Sequence, residues 1–266
     1  MDWMAEGIYM DMTSFKTELA KAMAAERTAG NMNLDILICT PDSRSERFKR
    51  CYDSLQATTR GITYNLIVRD NRDNKDFNHA REINKTLSVA DGDVVTLDDD
   101  VELTGAWLEA MLDAVDEDTG IVATTEYKTP ELLWRRGWYC DSEGKPLRWN
   151  EYIAEPQCVP AVSSCCMLIT KAAMRGCIMI PRDSYRKYYF DPDMCLQCWA
   201  NNLKVKVIPE RCIHYGQGAI LESGVNVAPI LNQDRALFKT RWLDSGVYDD
   251  MKREFTGVWP EGITNA

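Results

Sequence analysis

The chain has 266 residues, 41 acidic and 31 basic, for a net charge of −10 with both histidines neutral. That length suits one large α/β domain with a substantial core, and the acidic balance argues against a broad basic face for nucleic acid. No apolar run approaches the roughly 18 to 20 residues of a bilayer-spanning helix, and Met1-Asp2-Trp3-Met4-Ala5-Glu6 lacks the features of a signal peptide, so a soluble, cytoplasmic protein is expected.

In chain order, residues 1–30 show helical spacing at Phe15, Leu19, Ala22 and Met23 and stop at Gly30, which predicts an N-terminal helical extension. Leu34 to Thr40 reads as a strand stopped by Pro41-Asp42. Residues 44–57 return to helical spacing through Phe48, Cys51, Tyr52 and Leu55. A second strand runs from Thr63 to Val68 and ends in Arg69-Asp70-Asn71, and a helix follows from about Asn78 to Ala90. Asp91-Gly92-Asp93 then turns the chain into the apolar strand Val94-Val95-Thr96-Leu97, which ends in Asp98-Asp99-Asp100.

Strand, helix, strand, helix, strand is the signature of a parallel sheet covered on both faces. Ligands of such sheets bind at the carboxyl ends of the strands. Thr40-Pro41-Asp42, Asp70-Asn71 and the acidic triplet all fall there, so they are expected to converge. Three adjacent like charges after a buried run make most sense around a cation. Alternation puts Asp98 and Asp100 on one face and Asp99 on the other, and such a pair can hold Mn2+ or Mg2+. The bland alternative is a solvated acidic turn capping a helix that begins near Thr104.

Beyond it, Gly105 to Val115 reads as a helix and Gly120 to Thr125 as a strand. Residues 129–156 are expected to be irregular and aromatic, with Trp134, Trp138, Tyr139, Trp149 and Tyr152 anchoring a loop or facing a ligand. Val162 to Thr170 is a further strand, Phe190 to Asn202 a helix, and Val205 to Ile208 a last strand before Pro209. Among ten cysteines only Cys195-Leu196-Gln197-Cys198 has ligand-like spacing. It sits in a predicted helix with no second pair, so reduced, buried thiols are expected.

The order of these features resembles glycosyltransferase family 2, over about residues 34–218 with a weaker echo to 242. Ile36-Leu37-Ile38-Cys39-Thr40-Pro41 is similar to the family's opening strand and threonine-proline turn, and Ile67-Val68-Arg69-Asp70-Asn71 to its second strand. Asn78-His79-Ala80-Arg81-Glu82-Ile83-Asn84 resembles a helix segment facing the nucleotide, and the triplet resembles the metal-binding Asp-any-Asp. Val162 to Ile169 resembles the strand after the acceptor loop. Phe190-Asp191-Pro192-Asp193 resembles the Glu-Asp pair that carries the base, with Phe190 in place of Glu. Val207-Ile208-Pro209 with His214 resembles the strand, proline and histidine that complete the site.

The resemblance implies a GT-A, Rossmann-like α/β fold with a mostly parallel sheet. It divides the chain into a helical extension (1–30), a catalytic domain (31–218, with a nucleotide-sugar half 31–125 and an acceptor half 126–218) and a C-terminal extension (219–266). Thr40, Pro41, Asp42, Asp70, Arg81, Asn84, Asp98 and Asp99 are then expected at the nucleotide-sugar. Asp100 and His214, with Asp98, are expected at Mn2+ or Mg2+. Asp191 is the expected base, and Trp134, Trp138 and Trp149 the acceptor platform. His79 carries no matching motif and is read as structural. A carboxylate at Asp70 can accept from a uracil imide, which favours a UDP-linked donor.

The implied reaction moves a hexose to a hydroxyl of a glycan, a glycopeptide or another acceptor, with inversion. A nucleic-acid acceptor fits the acidic chain poorly, and a homodimer is left open. Two other readings stand beside it. A nucleotidyltransferase would be expected to carry a Gly-rich phosphate loop, and residues 40–47 contain no glycine. A non-catalytic nucleotide- or sugar-binding module would have no reason to keep Asp98, Asp100, Asp191 and His214.

Overall fold

The computed structural model describes residues 33–73, 78–149, 151–176, 185–216 and 226–255; the expected N-terminal helix lies outside them. Strand β1 (Leu34–Thr40) is followed by α1 (Glu46–Thr58), β2 (Asn65–Asp70), α2 (His79–Leu87), β3 (Asp93–Asp98), β4 (Val101–Leu103), α3 (Trp107–Asp113) and β5 (Thr119–Thr129). Next come the short strands β6 (Leu132–Arg135), β7 (Gly137–Cys140), β8 (Pro146–Trp149) and β9 (Gln157–Cys158). Strand β10 (Cys166–Ile169), α4 (Lys171–Gly176), α5 (Phe190–Ala200) and β11 (Lys204–His214) lead to α6 (Ala228–Phe238), a π-helical turn (Lys239–Leu243) and α7 (Val247–Glu254).

The central sheet has the order β2-β1-β3-β10-β5-β11-β4, with β6 added on β5 and β9 on β11. Along that path β1, β2, β3, β5 and β11 run one way and β10 and β4 the other. This is the expected mixed α/β architecture with a mostly parallel sheet. Side-chain alternation sorts the strands onto two helical layers. Leu34, Ile36, Ile38, Val95 and Leu97 pack with Cys51 and Leu55 of α1 and Trp107, Leu108 and Met111 of α3. Leu37, Val94 and Ile121 pack with Ile83 and Leu87 of α2 and Met194, Cys195 and Cys198 of α5 on the other face. Each fully buried Leu, Ile or Met contributes about 1.5–3 kcal/mol.

Three expectations need correction. The stretch 129–156 is largely β-structure: β6 extends the sheet beside β5, and β7–β8 form a separate hairpin. The acidic triplet leads into β4 and not directly into a helix. Pro209 does not end the last strand. Pro209 and Glu210 are absorbed between Ile208, paired with Thr124, and Arg211, paired with Thr125. A bulge tolerates a residue with no N–H to donate, and adding two residues keeps each face in place, so β11 continues to His214. The described cysteines are free, and Cys195 and Cys198 are buried in α5 as expected.

Helix α5 is fixed by two buried carboxylates. Asp193, 0% exposed, lies 3.0 Å from Tyr185 Oη, 2.6 Å from Gln197 Nε2, 2.5 Å from Trp242 Nε1 and 3.3 Å from Arg241. Asp234 of α6 accepts the backbone N–H groups of Arg186, Lys187 and Tyr188 at 2.8–3.0 Å, holding the loop that enters α5. Tyr189 at the helix start is left-handed, with φ 63°. Replacing Asp193→Ala strands three donors and a cation, so stability is expected to fall by about 3 kcal/mol or more. Urea denaturation followed by circular dichroism measures it, and a midpoint equal to the parent's contradicts this role.

Candidate active site

The site forms where the strands end. Asp98, Asp99 and Asp100 leave β3 together, and their side chains separate as alternation predicts. Asp99 is buried and turns toward β1 and α1, accepting from Thr40 Oγ1 at 2.7 Å and from Arg47 Nε at 3.1 Å. Asp98 and Asp100 turn the other way and meet His214. His214 Nε2 lies 3.2 Å from Asp100 Oδ1 and 3.7 Å from Asp98 Oδ2. Pairing of β11 with β4 makes that meeting, setting His214 opposite Val101. Tyr215 N–H then bonds the Asp100 carbonyl at 3.1 Å.

Behind His214 stands a carboxylate that the sequence reading missed. Glu126, buried on β5, lies 3.0 Å from His214 Nδ1, and its other oxygen lies 2.5 Å from Arg135 Nε. Burial works against the charge on Glu126, but Arg135 and His214 outweigh it and bring its pKa down to about 2. A charged Glu126 therefore accepts a hydrogen bond from the Nδ1–H of His214 and aims Nε2 at the two aspartates. Burial also opposes a proton on His214, yet Cys165 and the carboxylates of Asp100 and Glu126 hold its pKa well above the usual value. Asp98 is pushed up to about 7 by burial and by the crowd of carboxylates, against the pull of His214. Burial likewise acts to raise Asp100, but the contact with His214 wins and lowers it.

The ligand atoms of Asp98, Asp100 and His214 lie within 4.8 Å of one another. Two carboxylate oxygens and an imidazole nitrogen suit Mn2+ or Mg2+, and the Glu126 contact behind the imidazole is the support that metal-bound histidines use. These residues thus fit a divalent ion.

A cleft of about 590 Å³ opens over this cluster, lined by Thr40, Pro41, the triplet, Ser163, Ser164, Asp191 and His214. Asp191, the second residue of α5, faces it. Burial pushes its carboxyl up to about 6, against the pull of Arg135 and of hydrogen bonds from its own and the Ser164 backbone. Asp191 is not an N-cap, since Tyr189 holds that position. Asp193, two residues on, is spent in the core as described above. Phe190 is buried and packs edge-on against His79 at 5.2 Å.

Other expected residues fall differently. Asp70 joins the ends of β2 and β1: Arg72 Nε at 2.9 Å and Ser43 bind it, and Arg72 first among them holds its carboxyl well below the usual range. Asp42 is half-buried and paired with Arg44. Thr40, Asp42, Asp70 and Asp98 do converge, but Asp42 and Asp70 stand outside the cleft lining. So do Arg81, whose Nε lies 3.9 Å from Glu82, and Asn84, buried one turn further along α2. The residue α2 gives to the cleft is His79, read from sequence as structural: its Nε2 is 4.0 Å from Asp98, and burial lowers its pKa to about 4.

The aromatic platform is also corrected. Trp149 is 2% exposed and outside the cleft lining, and Trp138, though it lines the cleft, is 5% exposed and packs on Tyr189 and Phe238. Trp134 has Lys128 Nζ 3.5 Å and Arg148 Cζ 3.3 Å from its ring centre. Two cations so close to one centre cannot share a face, so both faces of this ring are covered. Lys187, Arg135 and Arg235 complete the basic part of the wall.

The family model described as "Glycosyl transferase family 2" matches residues 38–175. The chain belongs to glycosyl transferase family 2. Among solved structures, GalNAc-T7 with UDP, GalNAc and Mn2+ is similar with a TM-score of 0.61 at 13% identity, covering 83% of this chain and 50% of that one. This chain thus spans half of that protein, and the likeness shows a shared fold. A197 from STIV has a TM-score of 0.44 at 15% identity, over 66% of this chain and 82% of that one. A 4-diphosphocytidyl-2C-methyl-D-erythritol synthase from Anaerococcus prevotii has 0.40 at 11%, over 73% and 95%. No curated protein sequence matches the chain.

The Glu126 contact gives a direct test. Glu126→Gln keeps the shape but weakens the hold on the His214 proton and on Arg135. Mn2+ binding followed by calorimetry is expected to weaken by about 10- to 100-fold. Unchanged Mn2+ affinity in a folded variant would remove Glu126 from this role.

Proposed function

We propose that this family 2 member is a metal-assisted, inverting hexosyltransferase that moves a hexose from a UDP-sugar to an acceptor hydroxyl, with Asp191 as general base. The observation that carries the reading is the single cleft in which Asp98, Asp100 and His214 converge and Asp191 also stands. The family and the fold support glycosyl transfer, and the GalNAc-T7 structure, named with UDP, GalNAc and Mn2+, is consistent with the donor and ion chosen.

Asp98, Asp100 and His214 would hold Mn2+ or Mg2+, which supplies counter-charge to the diphosphate as the glycosidic bond breaks. Lys187 lines the same cleft; burial lowers its pKa and the three aspartates oppose that fall, and its ammonium adds positive charge where the leaving group collects negative charge. Thr40 and Pro41 at the end of β1 line the cleft on the side proposed for the nucleotide, and Asp70, paired in register with Thr40 and held by Ser43 and Arg72, is the carboxylate proposed for the base. Asp191 accepts the hydroxyl proton as the oxygen attacks the anomeric carbon. The C–O bond to the acceptor forms as the bond to the diphosphate breaks, and this one displacement inverts the centre. No covalent sugar intermediate is required.

A base must be unprotonated to work. Asp191 has its pKa raised to about 6, so the proton occupies it below that pH and leaves it above. Transfer measured as kcat/KM at saturating metal is expected to rise with pH through about 6. Asp191→Asn should lower transfer by about 100- to 10,000-fold and leave binding of UDP and Mn2+ nearly unchanged by calorimetry. Near-normal turnover of Asp191→Asn would place the base elsewhere. Asp100→Ala should abolish turnover as a chelator does, and full activity in that variant would sink the metal assignment.

A further inference from the structure

The basic wall of the cleft has no task in the reaction as written. Lys128 ends β5, Arg148 lies on β8 and Arg235 on α6, and all three line the cleft. The counter-charges of the acidic cluster are already assigned: Arg47 serves Asp99, His214 serves Asp98 and Asp100, and Arg135 serves Glu126. Lys128, Arg148 and Arg235 have no carboxylate within 4.0 Å among the described residues, in a chain whose net charge is −10. With acid in such excess, three unpaired cations gathered at one cleft repel one another and lack the partners that the rest of the surface offers.

They are also held in place. Lys128 and Arg148 clamp the Trp134 ring between them, which fixes two long side chains that would otherwise move freely. Arg235 donates from Nε to Tyr189 Oη at 3.0 Å, and Tyr189 in turn bonds the Gly144 carbonyl at 2.7 Å. That contact uses one edge of the guanidinium and leaves the terminal nitrogens for a planar oxyanion. Burial together with Arg135 disfavours the charge on Arg148, a cost that a bound anion would offset. A neutral sugar would find both faces of Trp134 covered and would give these cations nothing that water does not.

We infer that the acceptor is an anion, a hydroxyl-bearing molecule whose phosphate or carboxylate is held by Lys128, Arg148 and Arg235. This deepens the glycosyltransferase reading and rests on it. The donor's diphosphate is served by the opposite set, the divalent site and Lys187, so the two halves of the cleft divide the negative charges of the two substrates. The acceptor's anionic group fixes which hydroxyl stands over Asp191.

The test uses the full chain with UDP and Mn2+ present, so that the donor half is filled. Glucose, glucose 6-phosphate and glucuronate are titrated by calorimetry. Tighter binding of at least one anionic sugar than of glucose is expected, by about tenfold or more, with weakening at high salt. The phosphate and carboxylate arms tell which oxyanion the site prefers. Arg148→Gln, Arg235→Gln and Lys128→Gln should each remove most of that preference while UDP and Mn2+ bind as in the parent. Equal binding of the three sugars, or none, overturns the inference, as does a loss of UDP binding in the variants with anion preference kept. Failure of UDP and Mn2+ to bind the parent would count against the donor reading alone. The anionic-to-neutral comparison is then read on the protein without nucleotide, where parent and variants must still differ.

Discussion

Three carboxylates at the end of a buried strand repel one another, and the architecture around β3 supplies what lets them coexist. Asp99 is neutralised inward, by Thr40 at the end of β1 and Arg47 of α1, which ties the first strand and its helix to the third strand. Asp98 and Asp100 are answered by one imidazole, and that imidazole needs its own counter-charge. The series runs from Asp100 to His214, Glu126, Arg135 and the field at Asp191, alternating in sign. Removing one partner of a buried charge pair exposes the other to an uncompensated desolvation cost. The series therefore behaves as a unit that sets both the donor end and the acceptor end of the cleft.

Long-range topology brings that series together. Its members come from the turn after β3 and from β5, β6, β11 and α5, and β11 can reach the triplet only because Pro209 and Glu210 are taken up in the sheet. The region beyond residue 218 is more than an appendage. Asp234 holds the backbone on which Lys187 and Tyr189 stand, and Arg235 and Leu231 enter the cleft from the same helix. One helical turn thus sets the entry to α5, and through it the direction of Asp191.

Much of this was legible in sequence because it is local. The boundaries of β1, the strand-end positions of Thr40 and Asp70, and the split of the triplet into Asp98 with Asp100 against Asp99 follow from period-two alternation and from Pro and Gly punctuation. Asp191, Asp100 and His214 were identified through the order of motifs along the chain. Glu126 was missed because the strand was ended at Thr125, four residues before its true end at Thr129, yet an acidic residue just after an apolar run is the signal that singled out Asp98. Lys128, Arg148, Lys187 and Arg235 carry no local signal: a single Lys or Arg in the sequence reads as surface, and only the tertiary fold shows that they face one cleft. The tryptophans misled for the opposite reason. Aromatic composition marks burial and binding alike, and Trp138 and Trp149 went to the core while Trp134 became the seat for two cations.

One guanidinium explains why two neighbouring carboxylates differ. Arg135 forms a direct 2.5 Å pair with Glu126 and acts on Asp191 through space alone. Charge-assisted contact lowers Glu126 to about 2, so it stays ionised and serves only to orient His214. Asp191, desolvated at the cleft wall but without that contact, is raised to about 6, near the pH at which it must accept a proton. A carboxylate at its ordinary pKa would be a weaker base, and one paired as tightly as Glu126 weaker still. Pushing two neighbouring acids apart in this way separates a permanent charge from a proton acceptor. Phe190 contributes to the same end. A second carboxylate at its position would add a charge beside Asp191, whereas the buried ring against His79 helps keep water from the first turn of α5.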